Sequence, residues 1–129
     1  EKVKDLAVRS PSIQLHSDLP SLAPLMMKAD LAIGAGGAAN WERFCLGLPS
    51  LVITLAENQR PVNRDLYQMR LIEWIGDVET IQINHVSFAI ERALSRDDIN
   101  NWSERCMNSC SGLGTSLVTD SMMKISTVQ

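Results

Sequence analysis

The chain has 129 residues, 45% of them hydrophobic and 21% charged, with a formal charge of −3. This is the length and balance of one soluble globular domain with a real core, and too little chain for two. A slightly acidic chain gives no electrostatic reason to expect nucleic acid or an anionic membrane surface. No apolar run approaches the ~20 residues of a membrane span, and no signal peptide opens the chain, so a cytoplasmic protein is expected.

Taken in order, Glu1 to Arg9 reads as the end of a helix with Val3, Leu6 and Ala7 on one face, broken by Pro11. Ser12 to His16 alternates like a short strand. Asp18 or Ser21 can cap a helix from Leu22 to Lys28. Asp30 to Ile33 is a compact apolar strand that ends in a glycine turn. From Ala38 to Leu46, the residues Trp41, Phe44, Cys45 and Leu48 fall at i, i+3, i+4 and i+7. That is the spacing of a helix facing a core, and Gly47 and Pro49 stop it. Ser50 to Leu55 is nearly all apolar, as a strand buried on both faces would be.

The run Glu57-Asn58-Gln59-Arg60-Pro61 starts another helix, since proline is tolerated in a first turn, and carries Val62, Leu66 and Met69 inward. Ile72 to Ile75 reads as a fourth short strand, closed by Gly76-Asp77. Asn84 caps a helix with Val86, Ala89, Ile90, Ala93 and Leu94 on one stripe. Asp97 or Asp98 starts the next, with Ile99, Trp102 and Cys106 inward. Gly112 and Gly114 precede a final helix holding Leu117, Val118, Met122 and Ile125.

Strands alternating with helices imply an α/β fold with a doubly wound parallel sheet. There is no internal repeat and no low-complexity linker. A chain that opens partway through a helix, with only about four strands, is expected to be a domain of something longer. Cys45, Cys106 and Cys110 are an odd count, so no disulfide framework is expected. Cys106 and Cys110 lie one helical turn apart, but no further ligand is near and His16 and His85 are isolated. Buried or idle thiols are expected, and no metal site.

The stretch most suggestive of chemistry is the glycine turn. A strand that ends in glycines and feeds a helix places backbone N–H groups at a positive helix end. Gly36 and Gly37 let a phosphate approach the main chain, and Ala38 and Ala39 do not obstruct it. The same small residues would also let a helix pack closely on a sheet. The spacing Gly34-x-Gly36-x-x-Ala39 imitates a dinucleotide fingerprint, with Glu57 ending the next strand about where a ribose-binding acid belongs. Glu42 suggests another ligand. It lies one helical turn beyond Ala38, and helical side chains lean toward the N-terminus, so its carboxylate can reach back toward a ribose diol. A first-turn glutamate is also favoured by the helix dipole alone.

Taken together, ADLAIGAGGAANWERFCLGLPSLVITLAENQ resembles the C-terminal nucleotide-binding domain of the UDP-sugar hydrolases of pseudaminic acid biosynthesis, close to spore-coat polysaccharide proteins. The strongest likeness runs from Leu22 to Gln59, and a weaker one continues to SGLGTSLV, Ser111 to Val118. The resemblance implies the Rossmann-like C-terminal half of a GT-B architecture, residues 1–129 forming one nucleotide-sugar-binding domain. Its partners would be a UDP-sugar and an N-terminal catalytic domain or separate subunit. It implies no cofactor.

By the same resemblance Gly36, Gly37 and Ala38 meet the diphosphate through main-chain N–H groups, and Glu42 binds the ribose hydroxyls. Leu19 matches the position whose backbone reads the uracil, and Asn58 and Gln59 match amides facing the phosphates or the sugar. Asn58 can equally be a helix N-cap. Ala38, Ala39 and Asn40 stand where the family usually carries hydroxyl residues, so side-chain hydrogen bonds to phosphate are lost. The helix after Pro61 lacks the family's closing glycine. The family's catalytic histidine lies in a Gly-x-Gly-His loop of the N-terminal domain, and no such segment occurs in this chain, so no catalytic residue is expected within it. The other functions compatible with the residues are a GT-B glycosyltransferase half, a noncatalytic binding domain and an NAD-binding domain.

Overall fold

The computed structural model describes residues 2–126; Glu1, the first residue of the expected opening helix, lies outside them. Helices α1 (Lys2–Arg9) and α2 (Ala23–Met26) come first, and neither has a buried residue. Then β1 (Ala32–Ala35), α3 (Ala39–Cys45) and β2 (Ser50–Thr54) follow in turn. A 3-10 turn at Glu57–Gln59 leads into α4 (Arg60–Gln68) and β3 (Glu73–Asp77). Helices α5 (Ile83–Leu94), α6 (Ile99–Ser109) and α7 (Gly114–Ser126) complete the described chain.

The three strands are parallel and lie in the order β1-β2-β3. The architecture is therefore α/β with a small parallel sheet, the class that alternating strands and helices imply. Its central strand is the one with the longest apolar run: Ser50, Leu51, Val52 and Thr54 of β2 are all buried. The helices that cross between strands can be placed from two glycines. A Cβ on Gly34 would stand 3.0 Å from Arg43 Nη1 of α3, and one on Gly36 would stand 2.3 Å from Asn63 Oδ1 of α4. Residues two apart share a face of a strand, so α3 and α4 cover the same side of the sheet.

Phe44, Leu51, Val52, Leu66, Leu71, Ile72, Ala89, Ala93, Trp102 and Cys106 form one buried cluster. Trp102, wholly buried, donates from Nε1 to the carbonyl of Leu71 at 2.9 Å, which fastens α6 over the end of α4. Ser103 of the same helix donates to the carbonyl of Gly47 at 2.6 Å, fastening α6 to the end of α3.

Both crossing helices end in the same backbone device. Leu48 N–H donates to Arg43 O and Gly47 N–H to Phe44 O, with Gly47 at φ +62. After α4, Leu71 N–H donates to Leu66 O and Arg70 N–H to Tyr67 O, with Arg70 at φ +58. Each is a Schellman closure, which satisfies carbonyls the helix would otherwise orphan. The missing glycine after α4 is thus replaced by an arginine held in the left-handed region.

Several expectations change. Residues 12–16 form no strand and are exposed, Ile13 and Leu15 among them. Ile13 N–H closes a turn onto Ser10 O. An alternating pattern makes a segment fit for a sheet but does not supply an edge to pair with. Thus the sheet holds three strands among the described residues rather than four. Helix α5 begins at Ile83, with Gln82 at its N-cap, and Asn84 accepts instead from His85 N–H at 3.0 Å within the first turn. On α4, Asn63 and Leu66 are buried, whereas Val62 is exposed, as is Met69 just past the helix end. In β3, Ile75 is an extra residue opposite the Val52–Ile53 step, and Gly76 follows at φ +133. Leu117, Val118, Met122 and Ile125 of α7 are exposed.

Candidate functional site

The glycine turn stands at the C-terminal end of β1, the end of a parallel sheet where α/β proteins place ligands. Gly36 N–H continues the strand ladder with a long 3.3 Å bond to Ile53 O. Gly37, at φ +102, then swings the main chain out of the sheet, a conformation open to glycine and costly for other residues. The N–H groups of Gly37 and Ala38 donate to nothing among the described residues. Ala38 is exposed and Gly37 half-buried, so both groups border solvent.

Gln59 flanks this turn from the β2 side. Its Oε1 accepts from Leu55 N–H at 3.1 Å, which fixes the carboxamide. Its Nε2 then lies 3.7 Å from the place a Cβ on Gly37 would take. The amide donor therefore lies beside Gly37. Next to it, Arg60 bridges Glu57 (3.1 Å) and Asp77 (3.3 Å), tying the start of α4 to the end of β3.

Gly36, Gly37, Ala38 and Gln59 thus come together. Glu42 is exposed on α3 and joined to no ion pair among the described residues, one helical turn beyond Ala38. Asn58 is exposed in the 3-10 turn and caps nothing by its side chain. Leu19 lies in the exposed loop before α2, with no hydrogen bond to the turn. His16 and His85 are exposed, and His85 Nδ1 accepts from Gln82 N–H at 3.4 Å at the start of α5. No group of three or more His, Cys, Asp or Glu residues fit for a metal is present among the described residues. Among them, no helix is long and apolar enough to cross a membrane.

Beneath the turn is a polar layer that the apolar stripe did not reveal. Arg43 is 5% exposed, and its Nη2 donates to Ala35 O at 2.9 Å and to Asn40 Oδ1. Burial lowers its pKa and the neighbouring Glu42 raises it. Asn63, wholly buried, donates to Thr54 Oγ1 at 3.1 Å, and Trp74 Nε1 donates to the same oxygen at 2.9 Å. Asn63 Oδ1 has no hydrogen-bond partner among the described residues. Arg43 thus ties α3 to the end of β1, and Asn63 ties α4 to the end of β2 beneath Gly36. A signal for them existed: Asn40, Arg43, Phe44 and Gly47 share the spacing of the stripe Trp41, Phe44, Cys45 and Leu48. The polar members hid it.

A separate cleft of about 260 Å³ lies along β3, lined by Tyr67, Trp74, Phe88, Ala89 and Trp102. Its cations are already engaged, Arg96 with Glu73 and Asp98 and above the Trp102 ring, and Arg92 with Glu73.

Over 59 residues the chain is 36% identical to the spore coat polysaccharide biosynthesis protein SpsG of Bacillus subtilis. The likeness is partial. It takes in 46% of this chain, and the chain spans 17% of the length of that protein. No family model matches the chain, and no solved structure matches it.

Proposed function

We propose that this chain is the UDP-sugar-binding domain of a nucleotide-sugar hydrolase in bacterial surface polysaccharide biosynthesis, the C-terminal half of a GT-B architecture. The reading rests on the strand–turn–helix at Gly36 to Ala38, with undonated main-chain N–H groups at Gly37 and Ala38 and the Gln59 amide beside Gly37. The partial likeness to a spore coat polysaccharide biosynthesis protein supports the same pathway class.

In this reading Gly37 and Ala38 donate to the diphosphate, while Gly36, its N–H held by Ile53 O and its side-chain space filled by Asn63, places the turn above the sheet. Gln59 adds a donor to a phosphate or the sugar, and Asn58 lies one residue away on the same rim. Glu42 accepts from the ribose diol, and the backbone at Leu19 reads the uracil. The catalytic histidine would come from the N-terminal domain, where it would activate a water to attack the anomeric carbon. This domain orients the substrate and stabilises departing UDP by fixed donors.

Calorimetric titration of the 129-residue chain with UDP, uridine and NAD tests the reading. UDP should bind, and more tightly than uridine. Tighter binding of NAD would replace it with a dinucleotide site, and no UDP binding at millimolar concentration would leave a domain without nucleotide function. In the complete protein, release of free sugar to water identifies the hydrolase, whereas transfer to an acceptor identifies a glycosyltransferase on the same UDP site.

A further inference from the structure

Cys45 closes α3 and Cys110 follows α6, 65 positions apart in sequence, yet their sulfurs are 2.9 Å apart and share a hydrogen bond. Both are reduced and half-buried, within reach of small solutes. Contact with Cys110, and then burial, hold the Cys45 thiol above the usual thiol range, so it rests protonated. Cys106, one turn before Cys110, is different. It is wholly buried, donates to Leu71 O at 3.4 Å, and burial pushes its thiol up to about 11. Such a thiol is inert.

The two sulfurs are held together by packing on either side. Ser103 is bonded to Gly47 O at 2.6 Å, and a Cβ on Gly47 would stand 2.8 Å from Met107 Cγ, so α6 lies directly on the end of α3. On the other side, Gly112 at φ +72 turns the chain back, its missing Cβ 3.6 Å from Cys45 Sγ. The pair therefore belongs to the interface between two core helices rather than to two loops that meet by chance.

We propose that Cys45 and Cys110 are a reversible redox couple, a dithiol that hydrogen peroxide converts into a disulfide joining α3 to the segment after α6. One sulfur, as thiolate, attacks a peroxide oxygen, breaks the O–O bond and becomes a sulfenic acid. The other, deprotonated in turn, attacks that sulfur and expels its oxygen. Two thiols and one peroxide give one disulfide and two waters, and a dithiol reductant reverses the change. The bond closes a loop containing β2, α4, β3, α5 and α6, most of the core, so the oxidised protein is the more stable form. The proposal is independent of any ligand at the glycine turn.

Intact-mass measurement and non-reducing peptide mapping after peroxide treatment of the chain test it. The expected result is a loss of roughly 2 Da, the two hydrogens of a disulfide, one linked peptide pair carrying Cys45 and Cys110, and Cys106 alone left for alkylation after denaturation. The melting temperature should rise and return when dithiothreitol is added. Cys45→Ser and Cys110→Ser should each abolish the mass loss, and Cys106→Ala should retain it. A gain of oxygen atoms with no linked peptide, a link to Cys106, or a disulfide between two molecules would each overturn the proposal. These readouts on the unmutated chain stand even if a variant fails to fold.

Discussion

Replacing Gly36 by alanine tests the polar layer under the turn. The added methyl would stand 2.3 Å from Asn63 Oδ1, 2.7 Å from Nδ2 and 2.9 Å from Cγ. Asn63 cannot swing aside, because it is wholly buried and its amide is held by Thr54, which also accepts from Trp74. Overpacking of this kind costs about 1–3 kcal/mol, and a displaced hydrogen bond about 1 more. The sum, about 2–4 kcal/mol, corresponds to a fall of roughly 10 °C in melting temperature for a domain of this size. Asn63→Ala alone should also destabilise, by lost packing and a lost bond. The double variant should be more stable than the two losses added together, with a coupling of at least ~1.5 kcal/mol, since the new methyl occupies the space vacated by the amide. Urea unfolding of the four proteins, followed by circular dichroism, measures the cycle. Additivity within about 0.5 kcal/mol would refute the steric account. Gly37→Ala is the contrast. Its nearest neighbour would be 3.7 Å away, so its cost of about 1–2 kcal/mol arises from the positive φ and is not rescued by Asn63→Ala.

Three further outcomes are expected. Glu42→Ala should weaken UDP binding by about 1–3 kcal/mol with only a small fall in melting temperature, because the side chain is exposed and supports α3 and Arg43 by charge alone; unchanged calorimetric affinity would remove Glu42 from the site. Arg70→Gly should stabilise by about 0.5–1 kcal/mol, the relief of a left-handed arginine less the extra freedom of glycine when unfolded, read in urea midpoints. The Cys106 thiol, with its pKa raised from 9.0 to about 11, favours the folded state fully below pH 9 and loses that contribution as pH rises through about 11. Stability profiles of the unmutated protein and Cys106→Ala should therefore converge across that window, by about 3 kcal/mol, and parallel profiles would show that burial does not perturb this thiol.

How much of this was legible in the sequence depended on which force placed each residue. Ser50 to Thr54 was readable because a central parallel strand is apolar on both faces. Trp102 and Cys106 were readable because α6 buries a simple apolar stripe. The orientation of α3 was not, since the stripe through Trp41 competes with one through Arg43, and hydrophobicity alone favours the wrong one by a polar cluster whose hydrogen bonds are invisible in one dimension. Trp41 is 45% exposed and Arg43 5%. The same reason explains why Asn63, not Val62, faces the sheet. Residues 12–16 misled in the opposite way, carrying the period of a strand without a neighbouring edge. At the turn, the glycines marked where the chain leaves the sheet. They did not reveal that Gly36 spends its N–H on Ile53 or that its lost side chain makes room for Asn63.

The three tryptophans divide the molecule into three optical reporters. Trp102 is sealed in the core and hydrogen-bonded, Trp74 is partly buried at the edge strand, and Trp41 opens the first turn of α3 edge-on to Phe44, its rings 5.6 Å apart. A soluble quencher reaches Trp41 first. Its quenchable emission reports on the rim beside Glu42 and Ala38, while the protected, blue-shifted remainder reports on folding. Occupancy of the turn and integrity of the domain can thus be followed in one cuvette, with no label attached.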